Sequence, residues 1–254
     1  MDLSVESQRQ FAWRSWATIL EEIPLTPGQS VLDLGCGIGA LAAELAARGA
    51  RVTGVDMNPD LLATAVARNI PGVDFRLGNL REPSNLSQSY DGLWCSFTAA
   101  YFPDLTSMLK PWLQTLRPNA WVAVTEVDDL FGHRPLTVRT QELLDGYVRD
   151  AIAANRYDFR MGGRLTEWLL NLGCRVERIF TVPDQELSFT GPARPDVLEA
   201  WQARFDRMQL LQDFCGAEFD EVRNDFLACL TRPDHVSTAQ VCCCIGRMPA
   251  AEGG

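Results

Sequence analysis

The sequence predicts an α/β fold built on a parallel sheet, and two observations carry this prediction. The first is the apolar run Val31–Leu34, which ends on a loop with three glycines and continues into a helix-like stretch. This succession is typical of a buried strand, a tight turn and a helix N-terminus with free N–H groups. The second is the alternation of strand-like and helix-like stretches in the first half of the chain, because strands joined by helices pair in parallel.

The predicted elements follow one another after an amphipathic N-terminal helix at about residues 5–22, which Pro24 and the Pro27-Gly28 pair end. Strands are predicted at 30–35, 51–56, 73–77, 91–96, 121–127, 175–182 and 239–245. Helices are predicted at 40–48, 59–69, 104–116, 137–154 and 164–172.

A last helical stretch at about residues 195–232 has apolar residues at helical spacing, interrupted by Arg204, Arg207 and Gln209. We interpret this stretch as a cap over a small-molecule site, and the N-terminal helix as a lid. The 254 residues are therefore expected to form a single domain, 1–254, with a lid helix and an inserted helical cap.

The composition excludes several classes of function. Lys and Arg number 23 against 33 Asp and Glu, so the formal net charge is -10 and no broad basic surface is expected for a nucleic acid. Apolar runs long enough for a membrane span and the features of a signal peptide are not found, which predicts a cytoplasmic protein without a membrane partner. The eight cysteines are scattered or, at Cys242–Cys244, alternate on a strand without a nearby histidine, so no metal site is expected.

The glycine loop indicates a nucleotide-binding site, and one residue narrows its ligand. Gly35, Gly37 and Ala40 fit the dinucleotide pattern G-x-G-x-x-A, which keeps a nicotinamide-dependent oxidoreductase open as an alternative. Asp33, two residues before Gly35, places a carboxylate at the strand end, where it would repel a pyrophosphate and attract a cation. Asp56 ends the next strand, 21 positions after Gly35, where a carboxylate suits the two hydroxyls of a ribose.

Four segments, in this order and spacing, resemble the class I S-adenosylmethionine (SAM) dependent methyltransferases. They are the glycine loop Leu32–Gly39, the ribose strand Val52–Asp56, the adenine-edge segment Phe75–Leu80 and the fourth strand Tyr90–Ser96. Asn79 stands where the family usually has Asp, but its carboxamide oxygen can still accept a hydrogen bond from the adenine amine.

The resemblance implies a Rossmann-like seven-stranded methyltransferase sheet of order 3-2-1-4-5-7-6, with the last strand antiparallel and helices on both faces. Cofactor and acceptor should meet at the carboxyl ends of the strands. Arg14 of the lid helix is expected to meet the methionine carboxylate of SAM. The full set of expected cofactor-binding residues is Asp33, Gly35, Cys36, Gly37, Gly39, Asp56, Met57, Asn79, Leu80, Ser96 and Arg14.

The acceptor site is predicted beyond the fourth and fifth strands. His133 follows the fifth strand and is the candidate general base for an O–H acceptor, whereas His235 is expected to lie farther away. Glu126 and Asp128 near the same strand end are further candidates, as bases or as ligands of an amine. The residues expected to contact the substrate are Phe97, Tyr101, Phe131, Trp201 and Phe205.

These patterns lead to three functional hypotheses. The first is transfer of the methyl group of SAM to O or N of a small-molecule metabolite, with S-adenosylhomocysteine (SAH) as product, by a monomer or homodimer. The second is the nicotinamide-dependent oxidoreductase, and the third is a SAM-binding protein without methyl transfer.

Overall fold

The structure, a computed structural model, describes residues 3–82 and 89–250. The strands are β1 (Ser30–Leu34), β2 (Arg51–Asp56), β3 (Val73–Leu77), β4 (Tyr90–Ser96), β5 (Leu116–Asp128), β6 (His133–Arg134), β7 (Arg175–Val182), β8 (Val236–Ser237) and β9 (Gln240–Arg247). The α-helices are α1 (Leu3–Trp13), α2 (Trp16–Glu22), α3 (Ala40–Ala47), α4 (Pro59–Ala67), α5 (Leu105–Leu113), α6 (Val138–Ala153), α7 (Leu165–Asn171), α8 (Pro195–Arg207), α9 (Gln209–Cys215) and α10 (Phe219–Leu230).

A seven-stranded sheet forms the centre of the protein, in the order β3-β2-β1-β4-β5-β9-β7. The first five strands pair in parallel, and β9 pairs antiparallel with both of its neighbours. The two short strands β6 and β8 pair only with each other. The predicted order and the antiparallel last strand are therefore confirmed.

The sheet is covered on both faces, which explains the continuous apolar runs of its strands. Successive residues of a strand point to opposite faces, so Trp121 and Ala123 belong to one core and Val122 and Val124 to the other. The cysteines of β9 follow the same alternation, because Cys243 packs in the first core and its two neighbours pack in the second. All eight cysteines are buried as free thiols.

Local capping explains where the helices begin. Asn58 precedes α4, and its side-chain oxygen accepts hydrogen bonds from the N–H groups of Asp60 and Leu61 at 3.0 and 3.1 Å. Pro59 at the first helical position suits the helix because its missing N–H would have no partner there. The capped start of α4 therefore fixes the backbone position of the residues directly after Asp56.

Two predicted boundaries are wrong. The N-terminal helix is not continuous over 5–22, because Arg14 leaves helical geometry to form a backbone bridge with Asp184 between α1 and α2. The fifth strand begins at Leu116 rather than at 121, since Leu116 already pairs with Tyr90 before a bend at Asn119.

The predicted cap region forms three helices, α8 to α10, whose buried residues pack on β6 and α6. Across residues 3–82 and 89–250, the helices fall short of the length and apolar character that a membrane span requires.

Candidate active site

A cavity of about 780 Å³ lies at the carboxyl ends of β1, β2 and β4. Its walls come from the glycine loop, the segments that follow β3 and β4, and the inner side of α1 and α2. All of the predicted cofactor residues except Gly39 line it: Arg14, Asp33, Gly35, Cys36, Gly37, Asp56, Met57, Asn79, Leu80 and Ser96. The parallel topology brings these residues together although they are far apart in sequence.

Gly37 and Asp56 are joined directly. The N–H of Gly37 donates to one carboxylate oxygen of Asp56 at 2.8 Å, and the N–H of Asn58 donates to the other at 2.8 Å. Gly37 has a φ of +51°, and a Cβ at this position would meet no atom within 4 Å. The loop therefore presents bare backbone to the cavity and holds the Asp56 carboxylate at its edge.

Gly39 has a different role from the predicted one. Its φ is +71°, and a Cβ here would overlap the ring of Phe75 on β3. The absence of a side chain at Gly39 lets α3 start close to the sheet, so this glycine serves packing rather than contact with a ligand.

Asp33 is the most unusual group of the cavity. It is 2% exposed, and its Oδ2 atom has no hydrogen-bond partner in the part of the chain that the structure describes. Burial, and then the nearby Asp56 carboxylate, raise the pKa of Asp33 from 3.8 to about 7. An unpartnered buried carboxylate oxygen in a cavity wall fits a ligand that brings positive charge or hydrogen-bond donors.

Arg14 lines the cavity from the break between α1 and α2. Its Nε donates to Asp184 at 2.9 Å, and its guanidinium lies 3.8 Å from the ring centre of Phe97. Asp184 is itself fixed by the N–H groups of Glu186 and Leu187. The cation is thus held in one orientation at the wall.

Only two of the predicted substrate contacts line the cavity, namely Phe97 and Tyr101. Phe131, Trp201 and Phe205 do not line it, and they are at most 4% exposed in the core beneath the cap helices. The helical spacing of Trp201 and Phe205 on α8 reflects packing within the protein. Other residues, which the sequence analysis did not assign to the site, also line the cavity: Leu130, Tyr157, Leu187 and Arg204.

The candidate base His133 does not lie at the cavity, contrary to the prediction. It lies on β6, is 0% exposed and does not line the cavity. Its Nδ1 is 3.0 Å from Nε2 of His235, the histidine expected to lie farther away. Burial, and then His235, lower the pKa of His133 to about 3. His133 is therefore a neutral core residue among aromatic rings, because β6 turns inward toward α8 and α10 instead of toward the acceptor.

Glu126 and Asp128 do not line the cavity either, whereas Val127 between them does. Alternation along β5 explains the difference, since the side chains of Glu126 and Asp128 leave the strand on the face opposite to Val127. Glu126 is fully buried and accepts hydrogen bonds from the N–H groups of Ala100 and Val127 at 3.1 and 3.0 Å. Burial raises its pKa to about 7, and it organises the chain after β4 rather than facing an acceptor.

The fold and the cavity together define a Rossmann-like protein with a nucleotide-cofactor site. A family model described as a methyltransferase domain matches residues 31–119. The chain is similar to trans-aconitate 2-methyltransferase of Deinococcus radiodurans, with 36% identity over 134 residues that cover 50% of this chain and 51% of that protein. It is also similar to nocamycin O-methyltransferase of Saccharothrix syringae, with 33% identity over 114 residues that cover 42% of this chain and 41% of that protein. The chain spans about half the length of these curated relatives.

Solved structures agree in fold. Phosphoethanolamine N-methyltransferase 2 of Haemonchus contortus, in complex with S-adenosyl-L-methionine, superposes with a TM-score of 0.57 at 20% identity, covering 92% of this chain and 52% of that chain. The 4+2 cyclase SpnF superposes with a TM-score of 0.60 at 17% identity, covering 92% and 80% of the two chains. The matched domain at residues 31–119 and these relatives support a class I SAM-dependent methyltransferase, a class whose cofactor is SAM.

Proposed function

We propose that this protein transfers the methyl group of SAM to an oxygen or nitrogen atom of a small molecule. The observation that carries the proposal is the unpartnered, buried Asp33 oxygen in a cavity that the bare backbone of Gly37 also lines. This pair suits a cofactor that combines positive charge with a nucleoside. SAM supplies a methyl group already activated by its sulfonium.

Each end of the cofactor has a candidate partner in the cavity. Asp56 at the end of β2 would accept hydrogen bonds from the ribose hydroxyls, and Asn79 and Leu80 would hold the adenine edge. Asp33 would face the positive charge, and Arg14 would bind the methionine carboxylate. The opposite charges of Asp33 and Arg14 match the ammonium and carboxylate of an amino acid.

The acceptor end has few groups that could take a proton. Among the described lining residues, histidine and lysine are missing, and Glu6 is engaged by Arg207 at 2.5 Å and by Gln10 at 3.2 Å. Burial raises the pKa of Tyr157 well above its usual value. The proposed transfer therefore depends on holding the acceptor atom about 3 to 3.5 Å from the methyl carbon. The curated relatives act on trans-aconitate and nocamycin, which supports a small-molecule acceptor.

Two other functions are separated from this one by simple measurements. A nicotinamide-dependent oxidoreductase would bind a pyrophosphate, which the Asp33 carboxylate opposes. A protein that uses the fold without methyl transfer is the other alternative, because the structural neighbour SpnF is described as a cyclase.

The test combines binding and turnover. Calorimetric titrations with SAM, SAH and NADH should give binding of SAM and SAH only. Incubation with SAM and a panel of small acids, phenols and amines, followed by detection of SAH, should then give turnover that depends on the acceptor. Failure of SAM to bind would refute the proposal, and SAM binding without turnover of any acceptor would favour the non-catalytic alternative.

A further inference from the structure

A second fixed cation lies at the acceptor end of the cavity. Arg204 of α8 lines the cavity, and its side chain is 18% exposed. The Nη2 atom of Arg204 donates a hydrogen bond to Oε1 of Glu186, and the Glu186 side chain is buried. The Nε atom of Arg204 is itself buried and has no hydrogen-bond partner within the described ranges. The partly exposed guanidinium therefore lines the cavity, while its buried Nε and the buried Glu186 Oε2 behind it both lack a partner in the described residues.

The orientation of Arg204 is set before any ligand binds. Its guanidinium carbon lies 5.1 Å from the ring centre of Trp201, and Trp201 Nε1 donates to the carbonyl oxygen of Glu186 at 3.1 Å. Glu186 binds Arg204 from the protein interior and does not line the cavity. A guanidinium held by one carboxylate behind it presents its remaining donors forward, without further loss of rotamer freedom on binding.

The charges around Arg204 favour an anion over an amine. Glu6 is the acidic residue at this end, and the Arg207 guanidinium at 2.5 Å compensates it. Leu130, Leu187 and the phenol of Tyr157 supply the remaining surface, so the chamber combines apolar walls with positive charge.

We propose that the methyl acceptor carries a carboxylate and that Arg204 is the residue that binds and positions it. The proposal rests on the proposed function and specifies the substrate class of the same site. A planar carboxylate suits the exposed part of the planar guanidinium fork.

The test uses ligand binding to the protein saturated with SAH, so that it does not depend on turnover. The probes are trans-aconitate, succinate and benzoate, each paired with its methyl ester, together with inorganic phosphate. At least one acid is expected to bind at least tenfold more tightly than its ester. Arg204→Gln should weaken that acid at least tenfold and leave SAH affinity within about twofold of the unchanged protein.

The ion pair with Glu186 requires a second variant, because Arg204→Gln leaves a buried carboxylate uncompensated. The double variant Arg204→Gln/Glu186→Gln removes both charges and should recover thermal stability. If Arg204 only stabilised the fold, this variant would recover acid binding as well. Our proposal requires that acid binding stays lost. Arg223→Gln on α10, an ion-pair arginine outside the cavity, is the matched control and should bind the acid normally.

Four results would overturn the proposal: equal affinity for acids and esters, no binding of any acid, tighter binding of phosphate than of every acid, or unchanged acid affinity in the double variant. Each of these would leave the SAM titration intact. Loss of SAM binding by the unmodified protein would instead refute the proposed function, so the two failures are distinguishable.

Discussion

Replacing Asp33 by Asn should make SAM binding nearly independent of pH around neutrality. The pKa of Asp33 is raised to about 7 by burial and by Asp56, so the carboxyl is mostly protonated at pH 6 and mostly ionised at pH 8. If SAM binds the ionised form, the competent fraction rises from about 0.1 to about 0.9 over this range, which tightens the dissociation constant about tenfold. The Asp33→Asn variant lacks this titration and should bind SAM about 10 to 100 times more weakly at pH 8.

The same substitution should stabilise the ligand-free protein. A pKa higher in the folded state than in the unfolded state means that this group favours folding most below the unfolded value of 3.8, and that the benefit is lost as the pH rises toward about 7. A difference of about 3 units corresponds to an upper limit of about 4 kcal/mol. The stability of Asp33→Asn minus that of the unchanged protein should therefore grow from pH 4 to pH 7 and then level off.

The assay is calorimetry with SAM and SAH at pH 6, 7 and 8, together with urea unfolding of both proteins at the same pH values. SAH lacks the sulfonium charge and should show a weaker pH dependence than SAM. Equal pH dependence of SAM binding in the two proteins would refute the reasoning, because the titrating group would then belong to the ligand or to another residue. A lower stability of Asp33→Asn at pH 8 would contradict the assignment of a buried, unpartnered carboxylate.

Three further predictions concern single residues. Asp56→Ala should weaken SAM binding by about 1 to 3 kcal/mol while the fold persists, which titration and thermal melting together can check. Gly37→Val should abolish SAM binding, because a branched residue is strained at a φ of +51° and its side chain would enter the cavity; normal binding by a folded Gly37→Val variant would contradict this. The pKa of His133 is lowered to about 3, so its contribution to stability is present above pH 6.5 and is lost as the pH falls toward 3. The stability of the unchanged protein should therefore fall below pH 6.5 with a slope that approaches about 1.4 kcal/mol per pH unit near pH 5. His133→Phe should lack this fall in urea unfolding at the same pH values, and its methyl transfer should stay within about threefold of the unchanged protein.

The donor half of the site could be predicted from the sequence because it is local. The glycine loop follows β1 directly, and Asp56 ends the next strand of the same βαβ unit. Parallel pairing aligns Asp33 with Gly54 and so fixes the distance between the two strand ends. A short segment with strict backbone requirements therefore specifies both a fold and the groups that its turn presents.

The acceptor half could not be predicted in this way because its residues come from separate helices and loops. Arg204 and Trp201 lie on the same helix, yet the arginine lines the cavity and the tryptophan is buried. The sequence shows the apolar stripe of α8 but not which element packs on it. His133 shows the same limit, since the short pair of β6 with β8 carries it into the core and no local pattern marks this pairing.

The distribution of charge along the cavity links its two halves. The carboxylates of Asp33 and Asp56 lie at the glycine-loop end, and the guanidinium of Arg204 lies at the end formed by α8. A cationic methyl donor and an anionic acceptor would each find the opposite charge at its own end. Transfer of the methyl group removes the sulfonium charge and leaves only the ammonium, so above pH 7 the ionised, buried Asp33 faces one positive charge fewer. The protein should therefore hold SAH less tightly than SAM at that pH, and the same carboxylate that selects the donor would favour release of the product.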